Sequence, residues 1–284
     1  MPEFDAHTRI AVIGGGKMGA ALVGGMIASS QNPASALCAD NIVVVNPGQE
    51  RRTMLSEKYG VACVEDVSHL SEADVVFLAV KPQILPSVLD DVAKSVLGGQ
   101  IINKESPLFV SIAAGVSIAD IKSHLPEGAR VVRVMPNMPL QVMEGASGVA
   151  GDGENGADVS LVNELFSCFG ASSIVLERDL DAVTAVSGSG PAYVCALIEA
   201  MRDGGVQEGL SREVSEQLAI QTVFGTAAYI KESGIPVHDV LESICSPGGT
   251  TIAGLAAMDE KGFTESVIAG ERACANRSRE LGAS

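Results

Sequence analysis

The residues with the clearest chemical content are Gly14-Gly15-Gly16-Lys17-Met18-Gly19, which follow the apolar run Arg9-Ile10-Ala11-Val12-Ile13. This is a G-x-G-x-x-G pattern, set directly after a predicted strand and directly before a predicted helix over Ala20–Ala28. The three glycines have separate jobs. The first permits a tight turn, the second lets backbone approach a pyrophosphate, and the third lets helix and strand pack closely. The helix N-terminus then offers free N–H groups and a positive dipole to phosphate oxygens. A purely structural Gly-rich turn is the alternative; the strand–turn–helix context favours a dinucleotide site.

The second strand, Ile42–Val45, ends in Asn46-Pro47-Gly48-Gln49-Glu50-Arg51-Arg52. NAD enzymes place Asp or Glu at that end to hold the ribose 2′-OH. Here the end is neutral, and Arg51 and Arg52 follow at the next helix start. Guanidinium groups match a 2′-phosphate, so NADPH is the expected cofactor, with NADH the second choice. Glu50 counts against this, and solvated surface arginines are the alternative. Ala79-Val80-Lys81-Pro82 closes the fourth strand and Ser111-Ile112-Ala113-Ala114-Gly115 the fifth. Both are carboxyl strand ends, where open α/β sheets bind ligands. Lys81 is either a cofactor contact or a surface lysine. Ala113, Ala114 and Gly115 are small enough for a nicotinamide ring to lie close to backbone.

What is missing narrows the chemistry. Reduction of a ketone needs a proton donor beside the carbon, usually His, Lys or Tyr. His7, His69, His124 and His238 have no obvious partners, and no lysine stands between Lys122 and Lys231. Two-domain β-hydroxyacid dehydrogenases carry a lysine in the first long helix after the sheet; Pro191–Gly205 has none. A protonated imine already carries its proton, so its reduction asks for orientation more than acid catalysis. Ser246-Pro247-Gly248-Gly249-Thr250-Thr251, ahead of a helix, offers backbone N–H groups and hydroxyls for a carboxylate. The same composition suits an N-cap and inter-helix turn. Ser187-Gly188-Ser189-Gly190-Pro191 is a similar loop, read as small residues at a domain junction.

Positioning these groups takes two kinds of element. From Arg9 to about Leu176, β-branched runs (Ile10–Ile13, Ile42–Val45, Val75–Val80, Phe109–Ala113, Val131–Met135) alternate with helices such as Gln83–Val96, closed by Gly98-Gly99. Uniformly apolar runs suit strands buried on both faces of a parallel sheet. A helix over Val159–Phe169 and an edge strand over Ser173–Leu176 end this part. The expected class is α/β: an N-terminal Rossmann-type doubly wound parallel sheet over residues 1–178, then an all-α domain over residues 179–284. The second part reads as helices Pro191–Gly205, Ser211–Ser233, Val237–Ile244, Thr250–Asp259 and Phe263–Leu281. Its many small residues favour a dimerisation domain; a helical cap on its own sheet is the alternative.

Composition sets outer limits. The 284 residues are 46% hydrophobic, enough for a large core, yet hold no apolar run long enough to span a membrane. The acidic, strand-bound start lacks the pattern of a secretory signal, so the cytoplasm is expected. A net charge of −16 disfavours nucleic acid and acidic membranes as partners. The cysteines Cys38, Cys63, Cys168, Cys195, Cys245 and Cys274 form no CxxC pair, and no metal is expected. They read as small buried residues in a reducing compartment.

Taken in order, GGGxMG, Leu78–Pro82 (LAVKP), Ser111–Gly115 (SIAAG), Arg133–Asn137 (RVMPN), Ser187–Tyr193 (SGSGPAY) and Ser246–Thr251 (SPGGTT) resemble the pyrroline-5-carboxylate reductase family along nearly the whole chain. The last two motifs together, at this separation, are specific to it. The resemblance implies reduction of 1-pyrroline-5-carboxylate to L-proline, the last step of proline biosynthesis, and a homodimer or larger homo-oligomer joined through the C-terminal helices. It implies cofactor binding by Gly14, Gly15, Gly16, Lys17, Met18 and Gly19 and by Ala79, Val80, Lys81 and Pro82. Asn46 and Arg51 would select the cofactor. It implies nicotinamide lining by Ala113, Ala114 and Gly115, and a substrate-carboxylate site at Ser246, Gly248, Gly249, Thr250 and Thr251. Thr251 matches the family threonine that sits near the imine nitrogen and assists its protonation, which makes it the implied catalytic residue. Two departures stand out: Met138 where the family usually has Thr, and Asp66 where a cofactor-contacting Asn is common. The longish Ser29–Asp40 connection reads as a surface insertion.

Overall fold

A computed structural model of the chain describes residues 4, 7–29, 37–98, 107–153 and 155–282, without the side chains of 29, 69, 71 and 96–98. Most of the Ser29–Asp40 connection, and Gly99, lie outside these residues. The chain forms two compact units, residues 1–189 with 274–284, and residues 190–273.

The first unit is built on one eight-stranded sheet. Its strands are β1 (Ile10–Ile13), β2 (Ile42–Val45), β3 (Ala62–Val64), β4 (Val75–Leu78), β5 (Leu108–Ser111), β6 (Arg130–Met135), β7 (Gly145–Ala150) and β8 (Gly170–Ile174). The order 3-2-1-4-5-6-7-8 begins as the doubly wound dinucleotide-binding order. Its helices are α1 (Lys17–Ser29), α2 (Gln49–Tyr59), α3 (Leu85–Gly98), α4 (Ile118–Ser123), α5 (Gly156–Ser167) and the short α6 (Leu180–Val183). Alternate residues of each central strand feed opposite cores. Ile10, Val12, Val44, Phe77 and Val110 join Leu22, Met26, Phe166 and Phe169 on one face. Ala11, Ile13, Val76, Leu78 and Phe109 join Leu89 and Ile121 on the other. Burial of both strand faces is why the runs are apolar without alternation.

The sheet departs from the expected all-parallel form at one place. β6 pairs antiparallel with β7. The connection between them is a 3₁₀ turn over Met138–Val142, ended by Met143 in the left-handed region, and it is too short for the crossover that a parallel pair needs. α5 then supplies a proper crossover, and β8 returns parallel to β7. β7 escaped the sequence reading because Gly-Ala-Ser-Gly-Val-Ala has almost no β-branched content. β3 is only three residues long. The edge strand starts three residues earlier than expected, at Gly170. β4 stops at Leu78, short of Val80, because the chain turns there.

The second unit is helical: α7 (Gly190–Gln207), α8 (Arg212–Ser233), α9 (Val237–Ile244), α10 (Thr250–Glu260) and most of α11 (Phe263–Gly282). α7 and α8 pack on each other, and the Ser215 hydroxyl donates to the Arg202 carbonyl at 2.7 Å. Only Ser215, Ala219 and Val240 are buried among the described residues of this unit, while Leu218, Phe224, Tyr229 and Ile244 are exposed. From Cys274 onward α11 belongs to the first unit, where Ser278 Oγ donates to Asp181.

Candidate active site

Four strands end level. The register pairs Ile13 with Val45 and with Leu78, and Leu78 with Ser111. The next residues, Gly14, Asn46, Ala79 and Ile112, therefore form one row across the carboxyl end of the sheet. The cofactor residues expected from the sequence lie on this row or within about one turn of it.

The three motif glycines fall into their separate roles. Gly14 has φ +108°, and a Cβ there would stand 2.5 Å from the Ala79 carbonyl oxygen. A Cβ on Gly19 would run into the Gly14 carbonyl. These two glycines are required by the protein itself. Gly16 is different: a Cβ there would meet nothing within 4 Å. Its backbone is open on the side where a pyrophosphate has to approach the start of α1, so the turn fits a dinucleotide.

At the end of β2 the side chain of Asn46 joins two loops. Its Oδ1 accepts from the Gly15 N–H at 3.1 Å, and its Nδ2 donates to the Gly48 carbonyl at 3.3 Å. Arg52 is a bracket. It donates to the carbonyls of Asn46 and Pro47, each at 2.8 Å, and pairs with Glu65 at 3.2 Å, leaving its side chain 18% exposed. Arg51 is exposed, and its Cγ lies 3.4 Å from where a Gly15 Cβ would be. Of the two arginines, Arg51 is the one on the cradle side. Asp66 accepts from the Ser68 N–H at 2.9 Å, capping a 3₁₀ helix over Val67–Glu72. Lys81 is exposed at the head of the 3₁₀ turn Pro82–Ile84.

The stretch after β5 is tightly held. Ser111 is buried, and its Oγ accepts from the Ala113 N–H at 3.3 Å. Ala113 is buried, Ala114 and Gly115 half-buried. Gly115 has φ +75°, and a Cβ on it would lie 3.2 Å from the Gly282 nitrogen. Asn137 is buried and reaches both ways: its Nδ2 donates to the Ser187 carbonyl at 3.0 Å, and its Oδ1 accepts from the Ala146 N–H at 2.9 Å.

Ser187 and Gly188 are not in a loop. They end a π-helical stretch, Thr184–Gly188, that runs into α7. A Cβ on Gly188 would lie 2.6 Å from Met135 Cε, the movable tip of that side chain. In the second unit, Ser246–Gly249 forms a turn closed by the Gly249 N–H donating to the Ser246 carbonyl at 2.9 Å, with Gly248 at φ +70°. α10 then starts at Thr250, and its N-cap residue Gly249 provides no side-chain cap. The loop is thus a turn between α9 and α10 whose N-cap residue offers no side chain to the first N–H groups of α10. Thr250 is exposed and Thr251 half-buried.

Other groups are taken up elsewhere. His124 bonds to Asp90 at 2.8 Å, and His238 pairs with Glu242 at 3.3 Å. No cluster of three metal-ligating side chains occurs among the described residues. All six cysteines are free thiols, and Cys38, Cys168 and Cys195 are exposed rather than buried. Burial pushes the Cys63 thiol up from its ordinary range, which suits an unreactive residue.

Curated relatives cover almost the entire chain. A pyrroline-5-carboxylate reductase of Corynebacterium melassecola is 40% identical over 97% of this chain and 99% of its own length. The chain belongs to the pyrroline-5-carboxylate reductase family. The Escherichia coli pyrroline-5-carboxylate reductase is 36% identical over 96% of this chain and 98% of its own. A family model described as pyrroline-5-carboxylate reductase dimerisation matches residues 177–281, and one described as NADP oxidoreductase, coenzyme F420-dependent, matches residues 9–115. The pyrroline-5-carboxylate reductase structure from Coxiella burnetii superposes with TM-score 0.85 at 32% identity, covering 97% of this chain and 98% of that one. The Plasmodium falciparum enzyme, solved with NADP bound, gives TM-score 0.82 at 30% identity, covering 98% and 99%. The chain is accordingly a nicotinamide-dependent oxidoreductase and a homo-oligomer of this family. Within the family pattern, Met138 stands 56% exposed at the start of the β6–β7 turn, and Asp66 is engaged by Ser68.

Several residues that shape the site gave no signal in the sequence. Leu55 supports Gly15 from beneath, 2.6 Å from a Cβ position there. Asn137 was visible only as part of a motif, and Glu177 and Gly282 not at all. Each acts through a contact distant in sequence, which no local spacing encodes.

Proposed function

We propose that this chain reduces 1-pyrroline-5-carboxylate to L-proline, with NADPH preferred over NADH. Gly14–Gly19 and Ala79–Pro82 hold the cofactor, and Arg51 faces its 2′-phosphate. Ala113, Ala114 and Gly115 line the nicotinamide. A bound reduced nicotinamide supplies the hydride. Ser246, Gly248, Gly249, Thr250 and Thr251 hold the substrate carboxylate through backbone N–H groups and hydroxyls. The imine nitrogen arrives protonated, so hydride addition at carbon gives the amine directly, and the Thr251 hydroxyl lies beside that nitrogen. Orientation supplies most of the rate, since well-oriented partners can gain about 7–11 kcal/mol over free encounter.

One observation carries the cofactor reading: Gly16 alone of the three motif glycines opens onto free space, with Arg51 beside the neighbouring Gly15. The functional boundary falls at 178/179. A dimer, or a larger assembly of dimers, forms through the C-terminal helices, whose apolar side chains are exposed on one chain. The free thiols suit a reducing compartment, and the cytoplasm is the proposed site of the reaction.

The test follows absorbance of the reduced nicotinamide with 1-pyrroline-5-carboxylate, with NADPH and NADH in parallel. Oxidation that yields proline, faster with NADPH, is the expected result. No oxidation by folded protein with either cofactor sinks the substrate assignment, and equal rates sink the cofactor preference.

A further inference from the structure

The stretch proposed to line the nicotinamide is anchored in the core by Ala113, but beyond it Gly115 borders open space. A cavity of about 380 Å³ lies against it, lined by Gly115, Ser117, Arg133, Glu177, Asp181 and Gly282. On the side of that cleft the loop has no packing partner, so its position there depends on discrete tethers. One end is held by β5, through the Ile112 N–H donating to Leu78 at 3.2 Å. The far end is the start of α4, whose first N–H has no intrahelical partner. That group, Ile118 N–H, donates to Glu177 Oε1 at 2.7 Å.

The same oxygen accepts from Arg133 Nη1 at 2.8 Å. Arg133 is largely buried, its side chain 12% exposed, and sits on β6 opposite Ser111 of β5. One carboxylate thus joins the loop after β5, the strand that leads into Met135-Pro136-Asn137, and the segment that leaves β8. From the side, Gly282 packs on the Gly115 carbonyl, and a Cβ on Gly282 would come within 2.7 Å of that oxygen. α11 is kept there by the Ser278–Asp181 hydrogen bond. A charge-assisted hydrogen bond that is largely shielded from water is stiff enough to fix a short loop.

We infer that Glu177 is a positioning residue for hydride transfer: it sets the Ala113–Gly115 backbone against which the nicotinamide lies. It touches no reacting atom. The inference rests on the nicotinamide reading of Ala113–Gly115 given above. Displacement of such a loop by about 1 Å costs about 10²-fold when the reacting centres are misaligned. Partial loss of one tether of several is expected to cost about tenfold. The loss falls on hydride transfer, so kcat drops and the primary deuterium isotope effect on kcat rises, while KM for the imine acid stays within about threefold.

The experiment compares the full-length wild-type oligomer with Glu177→Ala, Glu177→Asp, Glu177→Gln and Ala114→Leu. It uses reduced and 4-deuterated cofactor with 1-pyrroline-5-carboxylate. Glu177→Ala is expected to lower kcat about tenfold with a larger isotope effect. Glu177→Gln keeps an acceptor for the Ile118 N–H and is expected to recover most of the rate. Glu177→Asp is one methylene too short to hold both partners and is expected to behave like the alanine variant, so it decides the matter if that variant does not fold. Wild-type kcat and isotope effect in the folded Ala and Asp variants overturn the inference, whatever their thermal stability. Ala114→Leu separates the two readings. If it leaves hydride transfer unchanged, the nicotinamide assignment of the loop itself fails; if it impairs transfer while the Glu177 variants do not, the positioning role alone fails.

Discussion

Two phenylalanines describe the contrast between the two units. Phe166 in α5 is fully buried, with its ring 5.5 Å edge-on from Phe169 and 6.5 Å from Phe77. Phe224 in α8 is 61% exposed on a single chain. The sheet unit completes its own core: both faces of the central strands β1, β4 and β5 are buried within the same unit. The helical unit forms its helices from local signals. Ser211 caps α8, accepting from the Val214 N–H at 3.3 Å, and Gly234 ends it in the left-handed region. Yet Leu218, Phe224 and Tyr229 on that helix find no cover. Apolar residues exposed on this scale mark a surface that another chain has to bury. Secondary structure can be encoded locally where the core is not.

The largest test of this contrast is Phe166→Ala. It should cost about 3–5 kcal/mol of stability in chemical unfolding, by the same amount at every protein concentration. A dependence on concentration would mean that the first core is also shared between chains. Next comes Phe224→Ala. The exposed ring predicts little loss for a lone chain, whereas burial by a partner predicts association weaker by about 2 kcal/mol, roughly thirtyfold, in sedimentation equilibrium. Unchanged association removes α8 from the interface. A related expectation needs no mutation: the melting temperature should rise with protein concentration, because association stabilises only the folded helical unit. A flat dependence over a hundredfold dilution breaks the contrast altogether. The smallest effect is expected from Arg51→Ala at the rim of the first unit. It should raise KM for NADPH about tenfold and leave KM for NADH within about twofold, a loss of one exposed charge-assisted contact. Equal effects on both cofactors would assign Arg51 to the loop rather than to the 2′-phosphate.

Much of the architecture could be read in advance, for reasons that differ by element. β1, β2 and α9 match their expected bounds because β-branched runs and a strong amphipathic octad leave little choice. β7 could not be found, since its Gly-Ala-Ser composition favours no extended state without the partners on either side. The same holds for Ser187–Gly188, whose turn-like residues end a π-helix in which Asn137 holds the Ser187 carbonyl. At the site, the glycines were legible because a tight turn restricts residue type. The division of labour between Arg51 and Arg52 was not, because both positions accept the same side chain.

The sequence alone therefore determined the glycine cradle, the helices of the second half, and through its ordered motifs the family. These follow from local steric rules and from residue types with few substitutes. Tertiary structure decided the rest. It turned β7 antiparallel, assigned Arg52 to the loop carbonyls and Arg51 to the cradle side, and brought Glu177 to the Ile118 N–H, 59 residues away in sequence. Those outcomes depend on which residues distant in sequence become neighbours, and that is fixed only when the cores close.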